Sequence, residues 1–298
     1  MKFDLLFSSI FIFLLIILFM IVHVYIQYNI NNDKFRKNNS KKSKIPKIIW
    51  TYWDTIDKPV FIQNCIKTWK YYNPDYTINI LDKNNYRDFI SIPLDYKAFD
   101  PVTRFTDYLR FQLLFEHGGI WMDASIICNE SLNWIFEKEN VEFVGFDTPL
   151  FMTNDKYPII ENWFLACVPG SRLMEYWNKE VQNIRSFSKV DDYIQSLYDQ
   201  TVDLQKIPFP EYLMCHAALM KVFHDYGNNF DTHLINSIGD NGPFRYLYVH
   251  DWKSKEALKS LCIDIINHTS LIKIRGDERK EMEKTPFLED SLDCFFYD

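Results

Sequence analysis

Residues 106–125, TDYLRFQLLFEHGGIWMDAS, decide how this chain is read. From Asp100 and Pro101, a helix start signal, apolar side chains recur at 105, 108, 109, 111, 113, 114 and 115, the spacing of a largely buried helix. Gly118 and Gly119 stop it. Ile120, Trp121 and Met122 then read as a short buried strand that delivers Asp123 at its carboxyl end, where open α/β sheets place ligand chemistry. Asp107 and Arg110 lie three apart, so a helix turns both to one face, as a plain ion pair or as two contacts to one bound group. The two glycines permit a sharp turn and the close approach of a ligand. Asp123 beside the small Ala124 and Ser125 leaves room for a diphosphate and its cation, although a strand-end Asp taken alone is more often a turn former.

Upstream, KIIWTYW (47–53) is a β-branched and aromatic run expected to be a buried strand. A helix from near Pro59 to Tyr72 and an alternating strand closing at Asp82 complete a strand–helix–strand unit, which implies a parallel pair. Downstream, strands are expected at 142–147 and 162–168, and helices around 171–185, 189–200 and 211–225. The last 70 or so residues mix short strands and turns without a clear pattern.

The chain is 298 residues long, 47% apolar and 24% charged, ordinary globular usage with a high aromatic share of 17%. Its net charge of −7 divides into +6 over residues 1–50 and −13 over 51–298, so no basic stripe is available for nucleic acid. An anionic substrate must be met locally, by a metal or a few placed cations. The six cysteines are scattered without a C-x-x-C pair and read as buried free thiols.

Residues 5–26 carry no formal charge and would span about 33 Å as a helix, enough for a bilayer core of about 30 Å. The expected organisation is therefore an N-terminal tail and transmembrane helix over 1–27, a basic disordered stem over 28–45 and one folded domain over 46–298. The basic flank favours a cytoplasmic domain. The stem layout and the Asn-x-Ser/Thr tripeptides at Asn38, Asn129 and Asn267 favour a lumenal one, so Golgi/ER-type and plasma membranes both stay open.

The segments IPKIIWTYW, P-x-F-I-x-x-C-x-x-T-W, NPDY-x-I-x-x-LD, TDYLR and GGIWMDAS, across 45–135, resemble the capsular polysaccharide synthesis glycosyltransferase family, related to DXD-containing sugar transferases of the GT-A fold. The resemblance continues more faintly through EFVGF, ENWFLACVPGSRLMEYW, the P-EYLMCHAAL block and DNGP. It implies a GT-A-like, Rossmann-like α/β domain with a mainly parallel sheet. It implies that Trp50, Thr51 and Tyr52 hold the nucleotide base, that Asp107 and Arg110 grip donor sugar and ribose, and that Asp123 is the first acid of an Asp-x-Asp motif. Ser125 stands where the second acid, the usual direct ligand of Mn²⁺ or Mg²⁺, would be, and His268 is a candidate second ligand or phosphate contact. Gly119 lies at the helix–strand turn, Asn162 and Asp147 at strand edges, His216 in a block near the acceptor groove, and Gly242 in a loop that only the resemblance makes part of a site.

No G-x-S-x-G, Walker A or G-x-G-x-x-G occurs, which removes the main support for hydrolase, P-loop and dinucleotide readings. A carboxylate-pair glycoside hydrolase stays open, because its carboxyl separation of about 5–9.5 Å is not written in sequence. The expectation is a membrane-anchored, retaining hexosyltransferase. Its donor is a nucleotide sugar, and its acceptor a polysaccharide, glycolipid or glycoprotein glycan. The alternative, raised by Ser125, is an inactive glycan-binding scaffold in a polysaccharide-assembly complex.

Overall fold

The run after Pro46 forms strand β1 (Ile48–Tyr52) in a computed structural model that describes residues 19, 22–23, 44–95, 102–262, 269–285, 287–290 and 292–296. Helix α1 (Val60–Tyr72) follows, burying Phe61, Ile62, Cys65, Ile66 and Trp69 along one stripe. Trp69 fastens it by donating its indole N–H to the Ile126 carbonyl at 2.6 Å. Strand β2 (Thr77–Leu81) then pairs in parallel with β1, Ile48 opposite Thr77 through Tyr52 opposite Leu81.

Helix α2 (Val102–His117) leads into β3 (Gly119–Met122), which adds in parallel to the other side of β1. Strands β5 (Phe143–Asp147), β6 (Ile160–Cys167) and β7 (Thr232–Asn236) complete a six-stranded sheet in the order β2-β1-β3-β6-β5-β7. The expectation of a mainly parallel sheet is corrected here. The sheet is mixed, because β6 runs antiparallel to both β3 and β5. Between β5 and β6 the chain makes one 3-10 turn, Pro149–Phe151, and no crossover helix, so the second strand returns beside the first in the opposite direction.

Side chains alternate across the sheet into two cores. Ile49, Ile120, Met122, Phe164 and Ala166 face α1 and a small antiparallel sheet of β4 (Ile126–Cys128) and β8 (Leu271–Lys273). Trp50, Trp121, Leu165 and Cys167 face α2 together with α3 (Arg172–Asn183), α4 (Val190–Asp199) and α5 (Met214–Tyr226). The result is three layers, helices, large sheet and small sheet with helices.

Two further expectations change. Cys262 and Cys294 form a disulfide, with Cα atoms 6.0 Å apart, whereas Cys65, Cys128, Cys167 and Cys215 are buried free thiols. The expected transmembrane helix is not found: among the described residues no helix is long and apolar enough to cross a membrane. Of residues 5–26 only Phe19, Val22 and His23 are described, and the rest of that predicted span, with nearly all of the stem, lies outside the described residues. The expectation of a single-pass protein with a membrane as partner is corrected accordingly.

Candidate functional site

Helix α2 and strand β3 run in opposite directions, and this brings Arg110 and Asp123 to one level. Seven residues of helix descend about 10 Å from Arg110 to the turn, and four residues of strand climb back about 13 Å to Asp123. Arg110 Nη2 lies 3.2 Å from Asp107 Oδ1 and 3.6 Å from Asp123 Oδ1. Asn162, near the start of β6, donates its side-chain N–H to Asp107 Oδ1 at 3.3 Å, and its carbonyl accepts from Arg110 Nη1. The guanidinium also lies over the Trp121 ring, 5.0 Å from its centroid. Asp107, Arg110, Asn162 and Asp123 therefore form one connected group at the carboxyl edge of β1 and β3.

The third layer enters at Asp123. Lys273, the last residue of β8, donates to Asp123 Oδ2 at 2.7 Å and to Ser125 Oγ at 3.2 Å. Asp123 Oδ1 accepts from Trp121 Nε1 at 3.0 Å, so each carboxylate oxygen serves a different layer. Burial opposes ionisation of Asp123, but Lys273 and Arg110 together outweigh it and hold the carboxyl below its ordinary value. Asp107 goes the other way. Burial pushes its carboxyl up to about 6, with Arg110 opposing and the Asp123 charge reinforcing. Burial also draws the Lys273 ammonium below its usual value, against the attraction of Asp123.

The glycine pair makes the sharp turn expected of it, and the protein's own backbone packs closely against it. Gly118 and Gly119 adopt φ of +64° and +91°, and they lie at the end of β3 opposite to Asp123. A Cβ at Gly118 would meet Pro169 N at 2.7 Å, and one at Gly119 would meet Ile48 O at 2.7 Å. The close approach they permit is that of the protein's own backbone. Trp50 belongs to the same brace: it is buried, and its indole N–H donates to the Gly118 carbonyl at 3.0 Å. Tyr52 is buried against Phe105 with its hydroxyl donating to Asp54 Oδ1 at 3.0 Å. Thr51 is fully buried, and its Oγ1 finds no hydrogen-bond partner among the described residues.

His216, buried in α5, points Nε2 to within 3.9 Å of Glu161 Oε2, while its Nδ1 has no hydrogen-bond partner among the described residues. Gly242 lies in a tight turn after β7, where a Cβ would meet Ser237 O at 2.4 Å. The next residue, Pro243, accepts from Lys273 N at 3.3 Å, so this turn supports β8. His268 lies outside the described residues. Lys273, which contacts Asp123 and Ser125, is not among the residues the sequence points to. The signal for Lys273 was a lone cation inside the apolar run LIKI (271–274).

The donor set suits a divalent cation poorly. Both Asp123 oxygens are engaged, and the Ser125 hydroxyl, buried, donates to the Ile274 carbonyl at 2.7 Å. Mg²⁺ and Mn²⁺ favour several oxygen ligands, carboxylates foremost. Among the described residues no group of three or more His, Cys, Asp or Glu is placed to hold a metal.

The family model described as capsular polysaccharide synthesis protein matches residues 19–206. HOC1 of Saccharomyces cerevisiae, a candidate glycosyltransferase, is 25% identical over 111 residues, 34% of this chain and 28% of HOC1, so the chain spans little more than a quarter of that relative. Among solved structures, a glycosyltransferase involved in glycosylating the major capsid of PBCV-1 is 10% identical, with 80% of this chain and 100% of that one covered and a TM-score of 0.43. The galactosyltransferase LgtC, in complex with donor and acceptor sugar analogs, is 11% identical over 82% of this chain and 95% of that one, at a TM-score of 0.42. The PaToxG glycosyltransferase is 16% identical over 64% and 84%, at 0.37.

Proposed function

Since this chain belongs to the capsular polysaccharide synthesis protein family, we propose that it is a glycosyltransferase, moving a hexose from a nucleotide-sugar donor to a polysaccharide, glycolipid or glycoprotein glycan with retention of configuration. The observation that carries this reading is the convergence of Asp107, Arg110, Asn162 and Asp123 on one sheet edge, with Lys273 closing it from the third layer. Carboxylate and amide side chains suit sugar hydroxyls, and paired cations suit a diphosphate.

In the transfer, the bond from the sugar C1 to the β-phosphate oxygen breaks, and its electron pair leaves with the diphosphate. The acceptor hydroxyl oxygen bonds to C1, and its proton passes to the departing diphosphate. Arg110 supplies a positive charge that offsets the growing negative charge, the kind of preorganised electrostatics that contributes most to rate in such steps. Asp107 and Asn162 orient the donor sugar.

The test is release of nucleoside diphosphate from a panel of nucleotide sugars, with candidate glycan acceptors supplied and Arg110→Ala as control. Release by the native protein and about a hundredfold less by the variant is expected. Glycan binding without release from any donor would favour the scaffold reading, to which Ser125 in place of a second acid points.

A further inference from the structure

Resting on the glycosyltransferase reading above, we infer that Lys273 occupies the place of a divalent cation and that the diphosphate of the donor is met by its ammonium. The two side chains at the acid positions of the resembled Asp-x-Asp motif, Asp123 and Ser125, are the two that Lys273 contacts, at 2.7 and 3.2 Å. A divalent cation at the same point would confront the ammonium at contact distance and find only one carboxylate, already paired. The Ser125 hydroxyl is turned away as a donor to Ile274 O.

Lys273 is also held as a fixed element of the site. Its backbone pairs with Ile126 in the small sheet, its N–H donates to Pro243 O at 3.3 Å, and its carbonyl accepts from the buried Tyr246 hydroxyl at 2.9 Å. The side chain is 8% exposed, and the Asp123 side chain beside it is 26% exposed, so the ammonium lies just behind a carboxylate that reaches the surface. An ammonium has three N–H donors. Asp123 and Ser125 take two, and the third suits a phosphate oxygen. Arg110, on the far side of Asp123, supplies the second cation. In a domain of net charge −13 over residues 51–298, these two cations answer the local need of an anionic substrate.

The experiment is calorimetric titration of the full chain with UDP, GDP, CDP, ADP and dTDP, in EDTA and again with Mn²⁺ or Mg²⁺. At least one nucleotide is expected to bind in EDTA, with an affinity within about threefold of that in metal, since a single added contact already changes Kd about tenfold. Lys273→Ala is expected to lose about tenfold to a hundredfold, the value of a charge-assisted hydrogen bond. Lys273→Arg, which keeps the charge and the pairing with Asp123, is expected to retain metal-free binding and serves if the alanine variant does not fold. Binding by the native protein that requires Mn²⁺ or Mg²⁺ and vanishes in EDTA overturns the inference while leaving the glycosyltransferase reading intact. Absence of binding by every nucleotide in both conditions overturns that reading, and this inference with it.

Discussion

Lys273 and Asp123, 150 positions apart in the chain, meet at 2.7 Å where the small sheet touches the carboxyl edge of the large one. Asp123 gives its other oxygen to Trp121 and faces Arg110 with it, so a single carboxylate ties helix layer, main sheet and small sheet together. Site and fold are coupled at this residue, because the charges that would hold a ligand also hold the layers.

Asp123→Asn is therefore expected to destabilise the protein as well as to inactivate it. The variant leaves Lys273 and Arg110, both buried, with reduced compensation. Removing one partner of a buried pair costs about 3–5 kcal/mol, and partial exposure of Asp123 favours the lower figure. Urea unfolding followed by tryptophan fluorescence measures it, and an unchanged midpoint would show that the three-way contact contributes nothing.

Asp107 gives a pH dependence of definite sign. Its carboxyl is pushed from an ordinary 3.8 up to about 6, so the fold favours the neutral form. That contribution is fully present below the ordinary value and is lost as pH rises through about 6. Relative to Asp107→Asn, which mimics the neutral form, the native protein should lose on the order of 2 kcal/mol between pH ~4 and ~7. Parallel denaturant titrations of both proteins across that range would show a constant gap if the carboxyl were not perturbed.

Substitution in the glycine pair should separate folding from chemistry. Gly119→Ala puts a Cβ 2.7 Å from the Ile48 carbonyl at a residue with φ of +91°, and Gly118→Ala meets Pro169 in the same way. Each should destabilise by about 2 kcal/mol or more through strain and overlap. Because the pair lies at the opposite end of β3 from Asp123, the folded fraction should keep the native KM for its donor. A raised KM with unchanged stability would return the glycines to the ligand site.

The sequence made the central elements legible where the periodicity was local. The stripe of α1, the alternation of β2 and the helix–turn–strand of 102–122 were all read from neighbours within a few residues. What escaped was set by contacts between distant segments. Nothing local in β6 tells that it runs antiparallel between β3 and β5, since a buried strand looks the same in either direction. The resemblance gives Trp50 a place at the nucleotide base, and a glycine turn permits close approach of a ligand, but neither tells that the indole donates to the Gly118 carbonyl or that backbone packs against the glycines, which are contacts between distant segments. Asp107, Arg110 and Asp123 were brought together by α2 and β3 alone, whereas Lys273 came from a segment whose pattern was unreadable.

The Cys262–Cys294 disulfide closes a sequence separation of 32 residues that contains β8 and therefore Lys273. For a loop of that size the chain-entropy account gives about 3–4 kcal/mol of stabilisation, acting on the unfolded chain. Dithiothreitol should lower the thermal midpoint of the native protein by several degrees. Cys294→Ser should start from that lower midpoint and not respond to the reductant. If the bond also fixes β8 against β4, nucleotide affinity should fall with reduction in the native protein and stay unresponsive in the variant. A midpoint that moves while affinity does not would confine the disulfide to stabilising the C-terminal segment, with β8 held by its pairing to β4 and by the Pro243 and Tyr246 contacts alone.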